Sequence, residues 1–473
     1  MPLIVFSAPF LHVQAKAHAS PSAYNGHGLH TTPCNSDERN GTQMGMKHQA
    51  DDDSRGKRRI ALIVTVVALA IAVCLAVTVW ALSHRSAAHN ASQQTSSQSA
   101  ASNTANSSDS AAPSTSDSSK ATSSQNDAQA RADSIVGGMS LDDRAGQLVM
   151  AALQYGTDAS SLQSVIEQQH VGNVILMGNW TSGVQGVASA SNALQSYASQ
   201  AGLPALLIAT DQEGGMVQHL TGAGFATIPS AVEQGRMSVD QLRSSAASWA
   251  APLKQSGVNV DLAPSVDTVT IDRASNAPIG ALDRDFGLDA QGNAEHAVAF
   301  IEGMRDGGIG SAVKHYPGLG SVQGNTDFTA DGITDTSTTS DSAQIQAFTT
   351  AIKQGKPAMV MMSLATYSQI DPNTPAAFSH KIVTDILRNG TPYDGVVISD
   401  SLSASAVGNV ATDQLGVRLI EAGGDLACVN SPDYTQPIVD GIREKAATDA
   451  DFAAQVTASA KRVIKLKIEL GLI

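Results

Sequence analysis

Three short apolar runs in this chain stop at ionisable residues. One ends in Asp211, a second in Lys314 and His315, and a third, Val396–Ser399, in Asp400. Runs rich in Val and Ile read as buried strands. A carboxylate delivered from such a strand is costly unless it is paired or used. Asp400 reads as a nucleophile, because a carboxylate can carry a covalent intermediate that divides one difficult step into two. The alternative is that Asp400 caps a following helix, a common role for Asp. Ionisable groups at the ends of three different strands favour the first reading, because such ends converge on one pocket in a barrel.

Those groups need a scaffold, and the stretch 133–473 has the pattern of one. Apolar runs at Leu148–Ala152, Asn173–Met177, Ala205–Ala209, Val258–Leu262, Gly310–Lys314, Ala358–Met362, Val396–Ser399 and Gly424–Val429 alternate with segments long enough for helices. Alternation of this kind predicts a parallel sheet, and eight units predict an α/β fold of the (β/α)8 TIM-barrel type. A doubly wound open sheet is the second choice. In both, ligands meet the carboxyl ends of the strands. Ser140-Leu-Asp-Asp143 has the form of a helix start.

The remainder divides into three parts. Residues 1–54 lack apolar periodicity and read as a disordered cytoplasmic terminus. Met44 and Met46 within it offer later start points. Residues 55–83 join the basic cluster Arg55, Lys57, Arg58 and Arg59 to the uncharged run Ile60–Leu82, long enough for a membrane-spanning helix of about 20 residues. Trp80 suits an interface, and the basic flank predicts a cytoplasmic N-terminus with everything later outside the cell membrane. A cleaved signal peptide fits less well, since the run exceeds an h-region of about 7–15 residues. Cys74 suggests a lipoprotein, but it lies mid-run after Val73. Residues 84–132 are Ser, Ala and Thr with few large apolar groups, and read as a linker.

Composition excludes several functions. A net charge of −14 argues against a nucleic-acid partner. Cys34, Cys74 and Cys428 show no metal spacing and no disulfide framework. The twelve histidines form no zinc-binding pattern, so no metal or other cofactor is expected. Gly318-Leu-Gly320 lacks the Gly-Lys-Ser/Thr ending of a phosphate loop. Asn179-Trp-Thr181 is a chance match to a glycosylation acceptor, and Met359, Met361 and Met362 read as packing residues.

Three motifs, Thr210-Asp-Gln-Glu-Gly-Gly-Met-Val-Gln218, Lys314-His-Tyr-Pro-Gly-Leu-Gly320 and Ile398-Ser-Asp-Ser-Leu-Ser403, resemble in order the signatures of glycoside hydrolase family 3. They are most similar to its bacterial β-N-acetylglucosaminidases that act on cell-wall sugars. Asn259–Asp267, Arg284-Asp-Phe-Gly287, Pro375–Ser379 and Lys461–Gly471 add to the likeness, which spans about 136 to 473. The resemblance implies a barrel domain over 133–473 and retaining hydrolysis, with a carboxylate nucleophile and an acid/base group on opposite sides of the scissile bond. It implies Asp400 as nucleophile and Asp211 as acceptor from sugar hydroxyls. Arg284, Lys314 and His315 become donors around the sugar, with His219 beside them. Arg284 and Lys314 are also expected to keep Asp400 ionised if they lie close to it.

The chain departs from that branch at its acid/base loop. An Asp-Ser-His triplet is usual there; this chain has Asn325-Thr326-Asp327. Leu319 and Leu364 replace further histidines, while Met216 and His219 replace arginines. Asp327 becomes the candidate acid, with Asp331 or Glu213 as alternatives. The resemblance implies removal of terminal β-linked N-acetylhexosamine from cell-wall glycans. The other readings are a silent or weak glycan-binding relative and a β-glucosidase of the same family.

Overall fold

The computed structural model describes residues 116–473. At its centre lie eight strands: β1 Val149–Gln154, β2 Asn173–Met177, β3 Leu207–Thr210, β4 Val260–Asp261, β5 Gly310–Tyr316, β6 Met359–Met362, β7 Val396–Ser399 and β8 Ala427–Cys428. All their pairings are parallel, in the order β7-β6-β5-β4-β3-β2-β1-β8. The two ends of that order meet. Ser399 N–H donates to Leu426 O at 3.0 Å, Leu426 N–H donates to Val397 O at 3.1 Å, and Ile398 bridges Leu426 in parallel. The sheet therefore curls into a barrel-like α/β fold, and the open doubly wound alternative falls. Each of the eight expected runs overlaps one strand, with ends shifted by a few residues.

Local chemistry starts the helices where the chain must turn back. Ser140 Oγ accepts from Asp143 N–H at 3.0 Å while Asp143 Oδ2 accepts from Ser140 N–H at 2.8 Å, a capping box for Leu141–Gly146. Ser238 caps Val239–Gln255 in the same way, and Asp289 caps Ala290–Asp306. Such caps contribute about 1 kcal/mol each. The last two helices pack closely because Gly303 lies against Arg243 O and Ala246, where any side chain would clash. The strand interiors are almost entirely buried, and β5 is buried at all seven positions. Each fully buried Val, Leu or Ile contributes about 1.5–3 kcal/mol by leaving water.

One expectation is corrected. A helix at Ser116–Gly138 begins within the stretch 84–132 read as linker. Ala128, Ala132 and Val136 recur every four residues on one buried stripe, and the helix packs on Ala450–Glu469. Lys461 Nζ reaches Asp133 Oδ1 at 2.8 Å across that contact. The small alanines that made the segment look unstructured allow this close approach. The anchor at 55–83, the terminus 1–54, Cys34 and Cys74 lie outside the described residues. Among the described residues no helix is long and apolar enough to cross a membrane.

The amino-terminal ends of the strands carry their own polar contacts. Buried Asp425 accepts from Arg388 Nη2 at 2.6 Å, Arg462 Nη1 at 2.9 Å and Val397 N–H at 2.8 Å. Lys467, fully buried, donates to Gln147 Oε1 at 2.6 Å and Gly172 O at 2.9 Å. Burial without a carboxylate partner pushes its ammonium down to about 7.

Candidate active site

A cavity of about 340 Å³ opens at the carboxyl ends of the strands. Asp211, His219, Arg284, Lys314, His315, Asp327 and Asp400 all line it. The seven residues singled out in the sequence thus come together. Ile175, Leu262, Met361 and Cys428 give the cavity an apolar floor.

Local folding explains how each polar group arrives. Asp211 follows β3 and opens a small hairpin, Gln212–Gly214 with Val217–Gln218. His219 N–H donates to Asp211 O at 3.1 Å, so the hairpin returns His219 to the same wall, its Nε2 3.8 Å from Asp211 Oδ2. Gly214 makes the turn at φ +101°, a conformation that glycine adopts without strain. Arg284 comes from a loop held by Arg273, which grips Asp285 at 2.8 and 3.0 Å. Lys314 and His315 lie on β5 itself.

Glu213, raised earlier only as a candidate acid, is the hub of the charged wall. Arg284 Nη2 and Nε donate to its two oxygens at 2.7 and 3.0 Å, and Lys314 Nζ sits 2.6 Å from its Oε1. Lys314 also donates to Asp211 Oδ1 at 2.6 Å. Burial alone would raise the Glu213 carboxyl, but the Arg284 and Lys314 charges hold it well below the usual range. A carboxylate so held does not donate a proton, which removes Glu213 as the acid. Asp331 does not line the cavity. Lys314 and Arg284 make their ion pairs with Asp211 and Glu213, not with Asp400, so the expectation that they serve Asp400 directly is corrected.

His315 is oriented from behind. Its Nδ1 lies 2.8 Å from Asp267 Oδ2, which also accepts from Ser265 Oγ at 2.8 Å, while Asp267 Oδ1 accepts from Leu319 N–H at 2.6 Å. Burial opposes the charge on Asp267, and these partners more than offset it, holding the carboxyl below its ordinary value. His315 Nε2 stands 3.4 Å from Arg284 Nη2, which can only donate. Nδ1 faces a carboxylate oxygen, which can only accept, so that nitrogen carries a proton.

Asp400 follows β7 directly. Its N–H donates to Met362 O at 2.9 Å and its Oδ1 accepts from Ser401 N–H at 2.8 Å. The next helical turn, Ser405–Val407, begins at Ala404, so Asp400 caps no helix. Asp327 rides on the loop opposite. Much of the residue is open to solvent, yet it lines the cavity. Burial first, then the negative charge of Asp400, push its carboxyl up to about 6, while the charges of His315 and Arg284 pull the other way. Asn325 Oδ1 accepts from Asp327 N–H at 2.9 Å and so shapes the loop rather than the carboxyl. Ser405 N–H donates to Asp327 O at 3.2 Å and Ala406 N–H to Thr326 O at 3.0 Å, tying the loop to the segment after Asp400.

Three further residues went unassigned in the sequence. Asp267 sits in a quoted motif but was given no role. Asp261 ends β4, accepting from Gln212 N–H at 3.0 Å with its other oxygen unpartnered among the described residues; burial pushes it up to about 8. A carboxylate inside the apolar run Val258–Leu262 was the available signal. Phe328, 82% exposed, lines the cavity beside Asp327. Among the described residues no group of three or more His, Cys, Asp or Glu is arranged to hold a metal ion.

Residues 140–466 match the family model described as the glycosyl hydrolase family 3 N-terminal domain. The chain belongs to glycosyl hydrolase family 3. It is 32% identical over 302 residues to the beta-hexosaminidase LpqI of Mycobacterium tuberculosis, covering 61% of this chain and 73% of that protein. The crystal structure of a β-N-acetylhexosaminidase from Beutenbergia cavernae is 42% identical with a TM-score of 0.67, covering 70% of this chain and 99% of that one. A family 3 β-N-acetylglucosaminidase from a Paenibacillus species is 26% identical with a TM-score of 0.63, covering 71% and 63%. A secreted glycosyl hydrolase of Arthroderma benhamiae is 32% identical over 302 residues, covering 62% of this chain and 83% of that protein. The family 3 chain described here is thus a glycoside hydrolase whose cavity is lined by the carboxylates of Asp211, Asp327 and Asp400, with cationic and imidazole groups along one wall.

Proposed function

We propose that this family 3 hydrolase removes terminal β-linked N-acetylglucosamine from cell-wall glycans or muropeptide fragments, with retention at the anomeric carbon. The observation that carries this is the pairing of Asp400 with Asp327 at one mouth, in environments suited to a nucleophile and an acid. Asp400 attacks the anomeric carbon while the Asp327 carboxyl gives its proton to the departing oxygen, so the glycosidic bond breaks as the Asp400–sugar bond forms. Asp327, now a carboxylate, takes a proton from water, which attacks the same carbon and frees Asp400. Asp211 Oδ2, His219 and the rim of the Lys314–Arg284–His315 wall receive the sugar hydroxyls. The names of the similar proteins support the aminosugar, and an Asp in the acid position keeps ordinary glycosidase chemistry available.

The reading extends to the cell. The uncharged run Ile60–Leu82 behind a basic flank supports a single-pass anchor, with the barrel outside the membrane. The test is incubation of the full-length chain with chromogenic β-N-acetylglucosaminide and β-glucoside, beside Asp400→Ala and Asp327→Ala. Turnover of the aminosugar that disappears in both variants supports the proposal. Preferential turnover of the glucoside replaces the substrate. Sugar binding without turnover of either compound replaces the enzyme with a silent glycan-binding domain.

A further inference from the structure

A second and larger hollow, of about 600 Å³, lies at the opposite end of the barrel from the catalytic cavity. Its walls include Gly310 and Val396, the first residues of β5 and β7, and Ala358, just before β6. The size falls within the range of small-molecule sites, about 300–1,000 Å³. Its charge is unusual for this chain. Lys254, Arg305, Lys353, Lys356, Arg462 and Lys465 line it, against two carboxylates, Asp394 and Glu469. The whole chain carries a net charge of −14, so this is a local reversal of sign.

The internal pairings leave much of that positive charge available. Both lining carboxylates face one cation: Lys465 Nζ lies 3.4 Å from Asp394 and 3.7 Å from Glu469. Arg462 shares its partner, Asp425, with Arg388, so two guanidinium groups stand on one buried carboxylate. Arg305 donates to Gly355 O at 2.6 Å and lies 3.7 Å from Glu302, which Arg243 already holds at 2.7 Å. Lys254, Lys353 and Lys356 form no ion pair among the described residues. The apolar side chains of Ile352 and Leu466 also line the hollow, a surface that suits an organic body rather than a bare ion.

We propose that this hollow is a second binding site, for a small phosphate-bearing ligand: a phosphorylated sugar, free or as the terminal unit of a phosphodiester polymer. Several ammonium groups around one recess suit a compact multiple charge, which phosphate supplies and a single carboxylate does not. The volume admits one sugar-sized body against the apolar wall. The site is separate from the catalytic cavity and stands whether or not the aminosugar reading holds.

Titration calorimetry on the full-length chain tests it, with glucose 6-phosphate, inorganic pyrophosphate and a glycerol phosphate oligomer as probes. Saturable binding of at least one probe is expected, weakening as salt is raised. The double variant Lys254→Glu/Lys353→Glu should weaken it by about tenfold or more, equivalent to about 1.4 kcal/mol. Both lysines are exposed, and an unchanged rate on a chromogenic glycoside, or an unchanged melting curve, verifies that the variant is folded. Binding of glucose 6-phosphate but not the oligomer assigns the site to a free metabolite, and the reverse assigns it to a polymer end. No saturable binding of any probe, equal affinity in the double variant, or displacement of the probe by N-acetylglucosamine overturns the proposal.

Discussion

Arg284 grips Glu213 with two N–H···O bonds, at 2.7 and 3.0 Å, while Lys314 closes on the same carboxylate at 2.6 Å. One buried anion thus organises two cations on the cavity wall, and Asp211 supplies the second negative charge. The wall is close to neutral as a unit. It is also fully committed, because removing either anion leaves a cation stranded away from water.

Glu213→Gln should therefore act on stability as well as catalysis. Breaking a buried pair by removing one partner costs about 3–5 kcal/mol, visible as a lower melting temperature. The folded carboxyl lies below its unfolded value of about 4.3, so its stabilisation is fully present above that pH. It is lost as pH falls toward the folded value. The wild-type melting temperature should drop in that acid range, and the variant should lose this part of the slope. An equally steep acid limb in both proteins would contradict the pairing.

Asp400→Asn should leave the melting curve nearly unchanged, because the residue is half-buried and, among the described residues, its side chain makes one hydrogen bond, with Ser401 N–H. Hydrolysis of a chromogenic β-N-acetylglucosaminide should fall by about 10³-fold or more, the scale seen when a nucleophile is removed. Azide added to Asp400→Ala should restore part of the turnover by occupying the vacated space. Rates within tenfold of wild type would remove Asp400 from the reaction.

Asp327 carries the pH dependence. With its carboxyl raised to about 6, it holds a proton below that pH and loses it above, so kcat/KM should decline as pH rises through about 6. Asp327→Asn should abolish that limb. It should also slow substrates with poor leaving groups by about 10²–10⁴-fold, and activated aryl glycosides less. Because the Asp400 charge contributes to the raised value, Asp400→Asn should lower the Asp327 midpoint in a carboxyl NMR titration. An unmoved midpoint would separate the two groups.

Lys467 predicts a second, unrelated slope. Its folded value, about 7, lies below the unfolded value of about 10.4. The unfolded chain therefore binds more protons between those limits, and stability should rise as pH climbs from about 7 to about 10. Lys467→Met should remove this rise. Thermal melts of both proteins across that range measure it.

The eight strands were legible because each is a short run of Val, Ile, Leu, Met or Ala whose burial defines it. Their ends were less so, as hydrogen bonding and not hydropathy decides where a ladder stops; β4 keeps only Val260 and Asp261 of a five-residue run. Asp400 and Lys314 could be read from position at a strand end. Glu213 could not, because its sequence neighbours are turn residues and its partners lie 71 and 101 positions away. The Ser116–Gly138 helix was hidden by composition, since alanine and serine carry little hydropathy signal until a partner helix is present to pack on them.

The two hydrogen bonds from Ser405 and Ala406 to the loop of Asp327 have a consequence for the stereochemistry of the reaction. Proton donor and nucleophile are thereby joined through main chain only five to six residues from Asp400, so the gap between their carboxyls depends on that main chain as well as on the two side chains. Retaining glycosidases need that gap near 5–5.5 Å, and about 6.5–9.5 Å leaves room for a water and inversion. One residue inserted between Asp400 and Ser405 would shift that main chain, and the anomer of the released sugar, followed by proton NMR, would register the change.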